Sequence, residues 1–188
     1  MRGVRHIKIE HVRPNRGHVV FLRAANVGGK NVFRPAQLAA SLSHLDVVNV
    51  GAAGTFVVRR PASIATIRRE IVSRVPFDPD IAIRPAGEVL DFVRSEPFRG
   101  VKFSKQLRGW VAVLTGTPKA VPSLPVIAPA GNLWSVRFDR LDGAYALGLW
   151  HWRPKFKFAS VVVEDAVGVS ATTRWWETFE RIAKILER

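Results

Sequence analysis

Two stretches of the chain bring together residue types that handle anions. Asn26-Val27-Gly28-Gly29-Lys30-Asn31 follows a short apolar run. Its paired glycines let backbone N–H groups converge on an anion, and Lys30 adds a positive charge. The nucleotide-binding loop built on this logic reads Gly-x4-Gly-Lys-Ser/Thr. Here Ala24 stands at the first glycine, and Asn31 at the hydroxyl that would hold Mg²⁺. Simple anion binding or an ordinary glycine turn is therefore expected, and nucleotide hydrolysis is not. The second stretch is Trp150-His151-Trp152-Arg153-Pro154-Lys155-Phe156-Lys157-Phe158. If extended, it puts Trp150, Trp152, Phe156 and Phe158 on one face and His151, Arg153, Lys155 and Lys157 on the other. Aromatics alternating with cations can stack bases and hold phosphates. A half-buried edge strand interrupted at Pro154 shows the same alternation with no ligand at all.

Other chemistries find little support. His6, His11, His18, His44 and His151 show no metal-ligand spacing, so no metal site is expected. The absence of cysteine removes thiol catalysis, disulfides and Cys-ligated metals, and makes the cytoplasm the expected location. Asp78/Asp80 and Glu164/Asp165 read as solubility or capping groups. No Gly-x-Ser-x-Gly elbow marks a nucleophile. Nothing in the sequence calls for a cofactor.

Charge is the dominant global feature. Twenty-nine Lys and Arg against fifteen Asp and Glu give a net charge of +14 over 188 residues. Such a field attracts polyanions, nucleic acid above all. Arginine outnumbers lysine 21 to 8, a bias that a GC-rich genome also produces. Residues 1–17 are basic without an apolar core, which reads as a flexible basic arm or a start placed too early rather than a secretory signal. The longest uncharged stretch, Ala120 to Val136, holds three prolines and is no membrane span.

Periodicity then supplies the elements that must position these residues. His18–Arg23 reads as a buried strand. Pro35 suits a first helical position, with Leu38, Leu42 and Leu45 following on one face. Val47–Val50 and Phe56–Arg59 read as strands joined through Gly51 and Gly54. Pro61 and Ser63 open a second helix with Ile64, Ile67, Ile71 and Val75 inward and Arg68, Arg69 and Arg74 outward. Asp80–Arg84 alternates as a strand, and Pro85–Val93 reads as a short helix. The order β-α-β-β-α-β is the ferredoxin-like split unit, which predicts a four-stranded antiparallel sheet with both helices on one face.

After a polar connector over 94–108, the second half is a looser echo. Trp110–Leu114 reads as a strand, and Thr117–Gly131 is Pro-rich where the repeat wants a helix. Leu133–Phe138 and Ala144–Trp150 form a hairpin around Asp139–Gly143. Phe158–Val167 fits strand or helix. Trp175, Phe179, Ile182 and Leu186 define a last helix with Thr173 as its expected N-cap. The predicted class is α+β: an arm over 1–17, a ferredoxin-like subdomain over 18–97, and a degenerate second one over 98–188.

The stretch Leu22-Arg23-Ala24-Ala25-Asn26-Val27-Gly28-Gly29-Lys30-Asn31 resembles the opening motif of the bacterial family called domain of unknown function 1697. Gly168-Val169, Thr172-Thr173-Arg174, Trp176, Thr178 and Arg181 resemble that family's C-terminal ending. Lys157 falls at the family's Ser-Lys-Leu, which implies that residues 158–167 are helical. The chain departs from the family where Ala52-Ala53-Gly54-Thr55 replaces Gln-Ser-Gly-Asn, where Trp175 and Glu177 replace asparagines, and where Ala24 replaces glycine. The resemblance implies a cytoplasmic two-subdomain α+β protein and no particular chemistry.

Three functions are consistent with these residues. The first is non-enzymatic binding of phosphate-bearing anions or nucleic acid, with Arg23, Asn26, Gly28, Gly29, Lys30, Lys157 and Arg174 as anion contacts and Trp150, Trp152, Arg153 and Lys155 as nucleic-acid contacts. The second is a small-molecule enzyme that clamps an anionic substrate between subdomains with Arg23, Lys30, Lys157 and Arg174. The third is a regulatory module whose basic face docks an acidic protein.

Overall fold

The computed structural model describes residues 17–23, 25, 31–153 and 158–188. The basic arm lies outside them except for Gly17. Among the described residues, fourteen helices and strands and one short 3-10 turn follow in chain order. In the first half these are β1 (His18–Leu22), α1 (Pro35–Ser41), β2 (Val47–Asn49), β3 (Thr55–Val58), α2 (Ile64–Val72), β4 (Ile81–Pro85) and α3 (Ala86–Arg94). In the second they are β5 (Leu107–Leu114), β6 (Val126–Ala128), β7 (Val136–Asp142), β8 (Tyr145–His151), α4 (Ala159–Val167), β9 (Ala171–Trp175) and α5 (Trp176–Leu186).

The strands form two antiparallel sheets, ordered β2-β3-β1-β4 and β6-β7-β8-β5-β9. Both faces of each sheet are covered, so the central strands are apolar on both faces rather than alternating with polar residues. On β1, Val20 and Leu22 pack with Leu38 and Leu42 and with Ile67 and Ile71 of α2, which places the two helical segments on one face. Val19 and Phe21 point the other way, into a core shared with Val111 and Val113 of β5, Phe92 of α3 and Phe179 of α5. The outer face of the second sheet, with Trp110, Ala112 and Phe138, packs on Val162 and Val163 of α4. The two halves therefore meet through one continuous core.

Four strands of the second sheet, β7-β8-β5-β9, repeat the order and antiparallel pairing of β2-β3-β1-β4. Each half ends on a strand that passes directly into a helix, β4 into α3 and β9 into α5. Where the first half has α1, the second has the Pro-rich segment and the added edge strand β6.

Several local expectations need correction. The strand β9 was not foreseen, and it takes in Thr173, whose expected N-cap role passes to the backbone position Trp175. Its inward residues are Thr172 and Arg174, both buried, so the apolar alternation that betrays a strand is missing. Ile64 is 46% exposed because it occupies the first turn of α2, beside the Ser63 cap that accepts the Thr66 N–H. The helix α1 stops at Ser41, and a 3-10 turn over Ser43–Leu45 keeps Leu45 in the core. The second hairpin is tighter than expected, with β7 reaching Asp142 past a bulge between Phe138 and Arg140. Residues 159–167 are helical, as the resemblance implied.

Candidate functional site

Arg174 sits at the fourth position of β9 and points between the sheets, 7% exposed. All three of its guanidinium nitrogens are engaged. Nε donates to the Thr55 hydroxyl at 2.6 Å, and Nη1 to the Thr172 hydroxyl and the Thr173 carbonyl at 2.8 Å. Nη2 donates to the carbonyls of Leu22, Ala53 and Gly54. These partners are carbonyls and hydroxyls, with no carboxylate among them. Burial lowers the guanidinium pKa to about 10, which still leaves it charged at neutral pH. Arg174 thus ties β9 to the end of β1 and to the turn before β3. This corrects the expectation that it clamps an external anion.

Arg23 is also committed. Its Nε and Nη2 donate to the two Glu164 oxygens at 2.8 and 2.9 Å, a bidentate pair across the halves. The Glu164 hydrogen bond is the main cause of its raised pKa. Glu164 Oε1 accepts the Ala171 N–H as well, which joins α4 to the start of β9. The structure brings Arg23 and Arg174 to the same end of β1 but uses both internally. Asn26, Gly28, Gly29, Lys30, Lys155 and Lys157 lie outside the described residues.

The aromatic candidates fare differently. Strand β8 ends at His151, and Trp152 and Arg153 lie outside it. Trp150 is half-buried on the α4 side, against Trp175 at a centroid distance of 5.4 Å and 63° between planes. Trp152 is 55% exposed, with its backbone N–H held by the Gln106 carbonyl at 2.8 Å. Arg153 is half-buried, with Nε unpartnered among the described residues.

Register adds residues that the sequence did not single out. Arg108 pairs with Trp150 across β5 and β8, and its guanidinium carbon lies 4.0 Å from the Trp175 ring centroid. Glu177 accepts from Arg108 Nη2 at 3.1 Å through both of its oxygens. At the same end of the sheet, Trp134 meets His151 edge-on at 5.7 Å, and Arg137 lies 5.5 Å from the Trp134 ring. Arg108 and Arg137 are visible in the sequence only as isolated cations. Their partners depend on a strand register that no local pattern discloses.

Residues 16–130 match the model of the family described as Protein of unknown function (DUF1697). The chain belongs to that family. The match covers the whole first sheet together with β5 and β6, and it ends before the residues 168–181 that also resembled the family. Among solved structures, a conserved bacterial protein from Streptococcus pneumoniae is similar at 16% identity, with a TM-score of 0.60 over 90% of this chain and 98% of that one. A likeness at that identity shows the fold alone. No curated protein matches the chain.

Membership gives a meaning to the altered Ala52-Ala53-Gly54-Thr55 segment. Three of its four residues serve Arg174, Ala53 and Gly54 through their backbone carbonyls and Thr55 through its hydroxyl. Gly54 has φ +67°, and an added Cβ would stand 2.9 Å from Leu22 Cβ. The turn therefore needs glycine on two counts. No helix among the described residues is long and apolar enough to cross a membrane.

Proposed function

We propose that this member of the DUF1697 family binds nucleic acid, and phosphate-bearing polyanions generally, through the basic and aromatic end of its second sheet, in the bacterial cytoplasm and without catalysing a reaction. The observation that carries this reading is Arg108 stacked at 4.0 Å on Trp175, with Trp150 against the same ring and Trp152, two residues further along the chain, exposed. A net charge of +14 supplies the long-range attraction. Lys155 and Lys157 follow within five residues of Trp152 and add to that charge. Stacking on aromatic rings tolerates any base but requires an unstacked one, so single strands bind better than duplex. The scaffold reads as two ferredoxin-like subdomains over 18–97 and 98–188, a reading supported by the shared strand order.

Fluorescence anisotropy with labelled single- and double-stranded oligonucleotides tests this reading. Affinity should be indifferent to sequence, greater for single strands, and should fall steeply with salt as counterions are released. Undetectable binding at low salt, with folded protein in excess, would overturn it.

A further inference from the structure

Net charge does not say which cations meet a phosphate, because a cation beside a carboxylate has much of its field cancelled. Around the basic and aromatic end of the second sheet the arginines are so paired. Arg108 holds Glu177 at 3.1 Å, Arg137 holds Asp139 at 2.7 Å, and Arg99 holds Glu96 at 3.0 Å. Arg108, flat on Trp175 and already engaged by Glu177, suits a base better than a phosphate. Lys102 and Lys105 differ. Both are exposed, and neither makes an ion pair among the described residues.

These two lysines belong to the turn that leads into β5. Ser104 closes it on both sides. Its N–H donates to the Leu107 carbonyl at 2.9 Å, and its hydroxyl accepts the N–H groups of Gln106 and Leu107 at 3.2 and 3.0 Å. Phe103 lies between the lysines, 39% exposed, with its ring edge-on to Phe98 at 5.6 Å. Its seat depends on Gly109, where an added Cβ would stand 2.8 Å from the Phe103 ring. The Gln106 carbonyl accepts the Trp152 N–H at 2.8 Å, which ties the exposed tryptophan to the same turn. Arg108 and Gly109 are neighbours on β5 and so face opposite sides of the sheet. Trp175 and Phe103 therefore flank the sheet on its two faces, and the turn crosses between them.

We infer that the turn over Lys102–Gln106 is the phosphate-holding part of the nucleic-acid surface, with Lys102 and Lys105 each holding a phosphate of a single strand and Phe103 stacking a base. The inference rests on the single-strand reading proposed for the protein. The bound strand passes round the end of the second sheet, from Trp152 across Gln106 to Phe103. An ammonium suits this task as a compact point charge, since it meets a phosphate without the fixed geometry of a guanidinium. A turn already closed by its own hydrogen bonds loses little further freedom when the strand arrives.

The test measures the affinity of the full chain for a labelled oligothymidylate by anisotropy, between about 50 and 200 mM salt. Each phosphate contact contributes about 0.7 to the slope of log affinity against log salt for a single strand. Lys102→Ala combined with Lys105→Ala should therefore flatten that slope by about 1.4. Lys119→Ala combined with Lys184→Ala removes the same charge from exposed lysines elsewhere and should leave the slope unchanged. Phe103→Leu keeps an apolar side chain beside Phe98 but removes the aromatic face. It should weaken binding about tenfold with the slope unchanged. Equal flattening by the two double variants would overturn the inference, because the field rather than the turn would then govern binding. So would wild-type affinity in Phe103→Leu. Either result leaves wild-type binding in place, whereas undetectable binding by the wild-type chain would overturn the underlying reading as well.

Discussion

The two sheets share an order of four strands but differ in what they leave at the surface. The first is closed on its outer face by α1 and α2, and its buried residues there are aliphatic apart from Phe56. The second has lost the first of these helices, gained the short edge strand β6, and relies on α4 for cover. All six tryptophans belong to this half. Trp152, Leu133 and Val121 stand more than half exposed within it. Among the described residues the exposed aromatic side chains, Phe103, Trp152 and Phe158, all lie in this half, where the proposed polyanion surface is placed. Two arginines at matching register positions, Arg174 opposite Val111 and Arg84 opposite Val19, differ at closer range. Every Arg174 nitrogen is engaged, while Arg84 donates from Nη2 to the Leu114 carbonyl and its buried Nε has no partner among the described residues.

The sharpest test of that contrast is to remove each arginine. Arg174→Ala should cost about 3–5 kcal/mol in urea unfolding, because it strands carbonyls and hydroxyls in a buried place. Arg84→Ala removes one hydrogen bond, to the Leu114 carbonyl, and should cost only about 1 kcal/mol. Equal costs would dissolve the distinction between the two halves. Arg174→Lys should recover little, since an ammonium cannot reach acceptors spread around a planar fork. Next in size is Gly54→Ala, expected to cost about 2–3 kcal/mol from the left-handed backbone and the approach to Leu22.

A smaller pair of effects separates Thr55 from Tyr145, the first residues of β3 and β8. Thr55→Val should destabilise by about 1–2 kcal/mol, because Arg174 Nε loses its acceptor. Tyr145→Phe should cost about 1 kcal/mol or less at neutral pH, since the hydroxyl it deletes has only the Glu88 carboxylate as a hydrogen-bond neighbour. Alkaline pH exposes the difference. The Tyr145 pKa is raised in the folded chain, so its stabilising effect is complete below the unfolded value of about 10 and is lost as pH rises beyond it. Phenolate absorbance should therefore appear together with unfolding, and Tyr145→Phe should flatten that decline. Phenolate absorbance in a chain that is still fully folded just above pH 10 would contradict this.

Much of the first half was legible because its signals are local. Leu38 and Leu42, or Ile67 and Ile71, recur at helical spacing, and β1 is a plain apolar run in the sequence. The strand β9 was illegible for a physical reason: its inward positions are Thr172 and Arg174, polar groups buried by contacts that come from β1 and β3. Strand β6 has three residues between prolines, too few to show a period. Family resemblance drew attention to Arg174, but charge alone suggested an exposed clamp, and only the tertiary contacts reveal a buried one. The Arg108–Trp175 stack was out of reach for a related reason, since it depends on β5 pairing with both β8 and β9.

Among surface changes, Trp152→Ala should leave stability within about 0.5 kcal/mol while weakening single-strand binding by about tenfold, the effect of one lost stack. The most direct measurement locates the bound strand on the protein. A single-stranded oligonucleotide carrying 5-iodouridine is crosslinked to the full chain by light, and the attached residue is identified by mass spectrometry. The account predicts attachment at Trp152, with Trp150 or Trp175 next, and loss of the main crosslink in Trp152→Ala. Crosslinks confined to residues 18–97, with none at the tryptophans of the second sheet, would contradict it.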